Sequence, residues 1–227
     1  MSLAKVLEKS PLTSRLSSHT REEFLRLFSE EVHPRGARDN SWDADRFFVF
    51  LIEGRIEVSR TNENTGRSLT LFLLGPGDGF DILKLLDSQQ HDVQSEALDE
   101  LRLLKARYEQ VREFMAQHPD FNEAFYPYLG KQLRDIEDLA TDLGLYPSLT
   151  RLARLILRKR GTSNGVTVPL LDSLSDEKLA SMIGSVRQTI NKHLQEWRSQ
   201  GVLDGSKIAK LEALENIAGL RLVELTR

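Results

Sequence analysis

Residues 174–203, LSDEKLASMIGSVRQTINKHLQEWRSQGVL, constrain the fold of this chain more than any other stretch. Ser175 is a good helix N-cap, and Asp176 and Glu177 stand where the positive end of a helix favours acids. Leu179, Met182 and Ile183 recur at helical spacing. Gly184 then ends the helix, since glycine tolerates the left-handed backbone such ends adopt. A second helix is expected from about Arg187, with Ile190, Leu194 and Trp197 on one face at i, i+4 and i+7. Its opposite face presents Arg187, Gln188, Asn191, Lys192 and Gln195. Arg and Lys suit guanine edges and phosphates, and Asn and Gln suit adenine. Two short helices with a Gly-containing turn are the form of a DNA-binding helix-turn-helix, and equally of many ordinary core helix pairs. The residues after the second helix favour DNA. Gly201-Val202-Leu203, Asp204-Gly205-Ser206 and Lys207-Ile208-Ala209 read as helix stop, strand, tight turn and strand, which is a wing. Val166 to Leu170 supplies a third strand beside it.

A chain of 227 residues implies one large domain or two small ones. With 40% apolar and 29% charged residues it has the composition of a soluble globular protein with an adequate core. The longest purely apolar run, Phe47 to Ile52, is six residues and cannot span a bilayer. The absence of cysteine excludes disulfides, thiolate-held iron–sulfur clusters and thiol redox sensing, so a cytoplasmic location is expected. The net charge of −3 hides an asymmetry. Residues 145–227 carry 13 Lys/Arg against 8 Asp/Glu, whereas residues 1–144 carry 18 against 26. A mildly basic module joined to an acidic one fits a DNA-binding end joined to a sensing end.

Three segments precede or contain the motif. Residues 1–108 read as a strand-rich domain: Phe47 to Ile52 is a dense β-forming run, Glu53-Gly54 turns it, and Arg55 to Arg60 alternates polar and apolar. Asn62 to Gly66 is a polar turn, Ser68 to Leu74 a partner strand and Gly75-Pro76-Gly77-Asp78-Gly79 a sharp loop. Strands at this spacing predict a small antiparallel barrel or sandwich. Residues 109–144 are helical. From Phe121, the residues Phe125, Leu129, Gln132, Ile136, Leu139 and Leu143 form a heptad-like seam flanked by Leu133 and Ala140. The seam reads as a helix pairing with its copy in a homodimer; a helix packed on its own barrel is the alternative. Gly144-Leu145-Tyr146-Pro147 breaks the helix and opens the third segment, 145–227.

This order of β-rich domain, long helix, hinge and winged helix-turn-helix resembles the cyclic-AMP receptor protein and FNR (CRP/FNR) family of bacterial transcription regulators. The resemblance is carried by 47–59 with its Glu53-Gly54 turn, by Leu73 to Asp78, by His118-Pro119, by Leu152 to Leu157 and by 174–203. It implies an α+β chain: an antiparallel β-barrel of the cyclic-nucleotide-binding jelly-roll type, a long dimerisation helix and a C-terminal winged helix-turn-helix. It implies double-stranded DNA with a two-fold symmetric site as partner, a homodimer, and RNA polymerase as a further contact. In the family an Arg-x-Thr stretch opens the recognition helix, and here it reads Arg187-Gln188-Thr189. By resemblance Arg187, Gln188 and Lys192 read bases, while Thr189 and nearby polar groups meet phosphate; Ser185 and Asn191 complete the expected DNA-binding set. Val186 and Gln188 stand where many members carry Ser and Glu, so the preferred DNA sequence does not carry over.

The sensor domain departs further. Family members that bind cyclic nucleotides present a Gly-Glu pair for the ribose and later an Arg-Ser or Arg-Thr pair for the phosphate. Here Asp81-Ile82 stands at the first place, and Gln90 to Ser95 offers no Arg at the second. Asp92 there repels an anion, so cyclic-nucleotide binding is not expected and the effector is unassigned. Haem has no recommended axial ligand among His19, His33 and His91, and neither metal nor other cofactor is called for. No enzyme is expected: 75–79 is Gly-rich but lacks the Lys-Ser/Thr of a phosphate loop, and no nucleophile elbow or paired metal-spaced His is present. The competing class is an adaptor module whose β domain binds a small molecule or protein, with the C-terminal helices serving only as packing.

Overall fold

The computed structural model describes residues 2–160, 168, 171 and 173–220. The chain forms two compact units, 1–61 with 71–136, and 62–70 with 137–227. In the first unit, strand β2 (Phe47–Glu53) is apolar from Phe47 to Ile52 because both of its faces are covered. Side chains alternate across a strand, so Phe48, Phe50 and Ile52 point one way and Val49 and Leu51 the other. The strand β7 (Leu101–Arg107) does the same, with Leu104 and Ala106 against Leu101 and Leu103. Together with β1 (Ser29–His33) and β5 (Gly79–Phe80) these strands form a four-stranded sheet in the order β1-β7-β2-β5. A three-stranded sheet of β4 (Ser68–Leu74), β3 (Ile56–Thr61) and β6 (Gln94–Ala97) runs in the order β4-β3-β6.

One face of the four-stranded sheet packs with Trp42, Ile56, Val58, Leu74 and Ala97. The other face is covered by helices, the first two of which the strand-rich reading of 1–108 did not anticipate. These are α1 (Leu3–Lys9), α2 (Ser18–Arg26), α4 (Tyr108–Gln117) and the start of α5 (Pro119–Leu145), which bring Val6, Phe24, Phe114 and Phe121 into one core with Phe50. Phe24 lies 5.5 Å from both Phe114 and Phe121 and 5.9 Å from Phe50, so one aromatic cluster joins helices and sheet. The short helix α3 (Ile82–Asp87) follows β5.

The closed barrel expected from the resemblance is not formed. The strands divide between two separate sheets of a jelly-roll type. β5 is only two residues long, and the isolated Arg38–Glu96 bridge joins β6 to the segment after β1, not to a strand of the other sheet. Closure needs a continuous ladder, and strands of that length cannot supply one.

In the second unit the end of α5 is tied to α6 (Ser148–Arg158) by Asp142, a carboxylate only 3% exposed. Arg154 donates to Asp142 at 2.6 Å, and Arg158 engages the other oxygen. A buried carboxylate requires such partners, and two guanidinium groups satisfy it. Helices α7 (Asp176–Met182), α8 (Arg187–Ser199) and α9 (Leu211–Ile217) follow, with the ribbon β8 (Leu203–Asp204) and β9 (Lys207–Ile208) between the last two. Of the strand expected over 166–170 only Val168 is described, the remainder lying outside the described residues; its N–H donates to Ser206 O at 3.0 Å. Residues 62–70 belong to this unit: Arg67 donates to Gly184 O at 3.2 Å, and the Thr70 and Ser181 hydroxyls lie 2.9 Å apart. Among the described residues no helix is long and apolar enough to cross a membrane.

The turn between β2 and β3 requires glycine on two counts. Gly54 has φ +81°, and a Cβ there would stand 2.3 Å from Glu100 O, a backbone atom with no freedom to retreat. Gly54→Ala is expected to destabilise the protein by about 2 kcal/mol or more, read as a lowered midpoint in urea with an unchanged slope.

Candidate nucleic-acid interface

The site is built by two helices whose ends the sequence specifies. Ser175 caps α7, its side chain accepting from Lys178 N at 3.3 Å, with Asp176 and Glu177 in the first turn. Leu179, Met182 and Ile183 are buried, so α7 has one inward face. Gly184 then turns the chain with φ +60°. A Cβ here would also meet Leu143 Cδ2 at 2.6 Å, the end of a side chain that can shift, so the backbone angle rather than space calls for glycine. Ser185 N closes the turn on Ala180 O at 2.9 Å.

On α8 the residues Ile190, Leu194 and Trp197 are at most 2% exposed. Their burial aims the other stripe outward: Arg187, Gln188, Asn191, Lys192 and Gln195 are all exposed. Ser185 and Thr189, at the turn and the first helical turn, are half-buried. All six residues assigned to DNA from the sequence therefore sit within one turn and the two helical turns after it. Asn191 is already engaged, donating to Asp176 at 3.1 Å. Fifteen residues separate this pair, and no spacing rule signals it. The wing follows as β8 and β9, joined through Gly205 at φ +58° and carrying exposed Lys207, a cation absent from the sequence assignment.

His193 lies on the flank of α8 facing α6, with its Nε2 3.0 Å from the Ser148 hydroxyl. Burial pushes its imidazole below the ordinary value; Glu196 works against this and Lys192 with it.

The seam residues of α5 divide between two environments. Phe125 is 1% exposed and stacks on Phe121 inside its own unit, so it does not belong to an external seam. Leu129 packs against the same core, and Gln132, 9% exposed, donates to Tyr128 OH at 2.8 Å. These residues of α5 pack on the first unit. The reason is that Phe121, Phe125 and Tyr128 complete the aromatic core over β2. Ile136, Leu139 and Leu143 are half-buried, with Leu143 set against Gly184, while the flanking Leu133 is 64% exposed.

In the β module, Asp81 caps α3 by accepting from Leu83 N at 3.0 Å, and its second oxygen lies 2.6 Å from His91 Nδ1. The start of α3 is thus taken by a carboxylate of the chain itself. Among the described residues no group of three or more His, Asp or Glu is placed to hold a metal ion.

Fold and site together define a helix-turn-helix protein with a wing and a jelly-roll-type β module. Residues 150–217 match the Crp-like helix-turn-helix domain and residues 41–118 the cyclic nucleotide-binding domain, stretches that together span more than half of the chain. The CRP-like cAMP-activated global transcriptional regulator of Mycobacterium tuberculosis is 26% identical over 160 residues, 69% of this chain and 70% of that protein. The global nitrogen regulator of a Synechocystis species is 28% identical over 171 residues, 72% and 74% of the two chains. Among solved structures, the global regulator CLP of Xanthomonas campestris superposes with a TM-score of 0.70 at 19% identity, covering 85% of this chain and 98% of that one. CooA from Carboxydothermus hydrogenoformans gives 0.68 at 21%, covering 86% and 90%. The chain belongs to the CRP/FNR family of transcription regulators.

The lowered His193 pKa makes stability depend on pH in one direction. The folded state binds this proton less well than the unfolded chain, so the contribution is complete above the unfolded value of about 6.5 and is lost as pH falls through the folded one. Melting temperatures measured from pH 8 to 5 should fall on the acid side, and His193→Gln should show a smaller fall.

Proposed function

We propose that this protein is a dimeric transcription regulator that reads a two-fold symmetric duplex site through α8. The observation that carries the reading is the division of that helix, with Ile190, Leu194 and Trp197 buried and Arg187, Gln188 and Lys192 exposed on the other side. Arg187 suits a bidentate contact to guanine, and Gln188 suits adenine; Lys192 adds a charged donor one turn further on. Ser185 and Thr189, half-buried beside this stripe, suit phosphate, and the exposed Lys207 on the wing suits the adjoining backbone.

The dimer is supported by the first unit. Leu133 on α5 stands exposed at the rim of an apolar groove of about 220 Å³ bounded by Phe72, Leu74, Leu83, Leu129 and Ile136. A contiguous apolar groove beside an exposed leucine is the kind of surface that a partner covers. A second copy of α5 fits it, since a two-fold axis sets the same face against itself. Two copies of α8 then meet half-sites roughly 34–36 Å apart, the separation common to helix-turn-helix dimers.

The sensor reading is that the β module has lost cyclic-nucleotide binding. The M. tuberculosis relative is described as cAMP-activated. In this chain Asp81 occupies the start of α3, and Lys84, in the first turn of that helix, is held by Asp45 at 2.9 Å. Neither feature favours an anionic phosphate.

Selection from a randomised duplex library, run with the ligand-free protein and with Arg187→Ala, tests this function. A palindromic site should be enriched by the wild type, and Arg187→Ala should lose about 1–3 kcal/mol on it and relax one base position. Equal binding of cognate and scrambled duplex by both proteins would remove Arg187 from the role and favour the adaptor reading.

A further inference from the structure

The first unit holds a second cavity, of about 290 Å³, at the lower end of the usual range of ~300–1,000 Å³ for small-molecule sites. Its lining is unlike that of an anion site. Asp39, Asp43, Asp45, Asp81 and Asp92 contribute five carboxylates, against one ammonium, Lys84, and one imidazole, His91. The ammonium is bound to Asp45 and the imidazole to Asp81, so both basic groups already have acidic partners. Asp43 is engaged by Arg46. Asp39, half-buried, and Asp92, exposed, remain as carboxylates at the opening.

An acidic cluster alone is no site, and the second observation comes from the buried wall. Ser95, on β6, is 1% exposed and lines the cavity, and its hydroxyl has no hydrogen-bond partner. Buried hydroxyls are ordinarily satisfied, because leaving one unpaired forfeits its hydration. A ligand that offers an N–H would satisfy the Ser95 oxygen from within, while the carboxylates at the opening neutralise its charge. Phe80 and Val93 give the same lining an apolar portion, which suits a short carbon stem.

A bare divalent ion fits less well. Calcium takes six to eight oxygens in one shell, and the described residues bring no three acidic or imidazole groups into such a cluster.

We infer that this cavity binds a small organic cation, an amine or guanidine on a short carbon chain, held between the opening carboxylates Asp39 and Asp92 and the buried Ser95 hydroxyl. It is an effector site of opposite charge preference to a cyclic-nucleotide pocket. Asp81 and His91 line both this cavity and the apolar groove beside α5, so an occupant here touches the pair that forms one wall of that groove.

Isothermal calorimetry on the full chain without DNA, using putrescine, agmatine and spermidine, tests the inference. Cyclic AMP and calcium chloride serve as comparison titrants. At least one amine should bind with one site per chain. The double substitution Asp39→Asn, Asp92→Asn should weaken it at least tenfold, and Ser95→Ala should weaken it while the melting temperature stays within a few degrees. Failure of all three amines to bind at millimolar concentration would overturn the site. So would amine binding indifferent to these substitutions, or cyclic AMP or calcium binding that the same substitutions alter. Because no DNA is present, either result leaves the helix-turn-helix reading to be judged on its own test.

Discussion

A thirteen-residue helix can keep only one stripe of side chains out of water, and α8 gives that stripe to Ile190, Leu194 and Trp197. Everything about the outward stripe depends on this burial. The stripe fixes the rotation of the helix about its axis, and Gly184 fixes its approach to α7. The polar stripe then has only one direction to face. Loss of the Trp197 ring would cost roughly 3–5 kcal/mol in packing, more than any surface contact on the exposed side can return. Asp142 plays the matching part at the other end of the unit, where two arginines of α6 hold the last turns of α5. Removing the carboxylate would leave two guanidinium groups beside an apolar core.

The β module rests on a different constraint. Two central strands, β2 and β7, are buried on both faces, so the sheet needs layers above and below it. One layer is the second sheet; the other is an aromatic helical layer drawn from α1, α2, α4 and the start of α5. Using the first turns of α5 for this purpose removes Phe125 from any external seam and moves the accessible apolar surface to Leu133 and the groove beside it. The same module carries a carboxylate-rich cavity beside α3. The two modules thus differ in charge as the sequence does, and each charge pattern is tied to a surface.

Legibility in the sequence tracked locality. The caps, stripes and turn of 174–203 are written within a few residues of one another, and α7, α8 and the wing stand where that pattern puts them. The run 47–52 signalled a strand but not which faces were covered. Pairing with β7 some 50 residues later determines that. Helix α1, with Leu3, Val6 and Leu7 at helical spacing, was legible in principle and was overshadowed by the strand-rich stretch after it. The burial of Phe125, the Asn191–Asp176 contact and the docking of Arg67 on Gly184 rest on distant residues, so no periodicity announces them. The expected barrel failed on strand length, a quantity that turn signals locate only loosely.

The central question is whether the outward stripe of α8 meets phosphates as well as bases. The most direct measurement is the affinity of the full chain for a duplex bearing its selected site, monitored by fluorescence anisotropy from 50 to 300 mM salt. Phosphate contacts release counterions, so the logarithm of the binding constant should fall linearly with the logarithm of salt, with a slope near −0.9 for each phosphate neutralised and several units overall. An affinity that does not change with salt, or no binding at the lowest salt, would contradict a DNA-reading role for this helix.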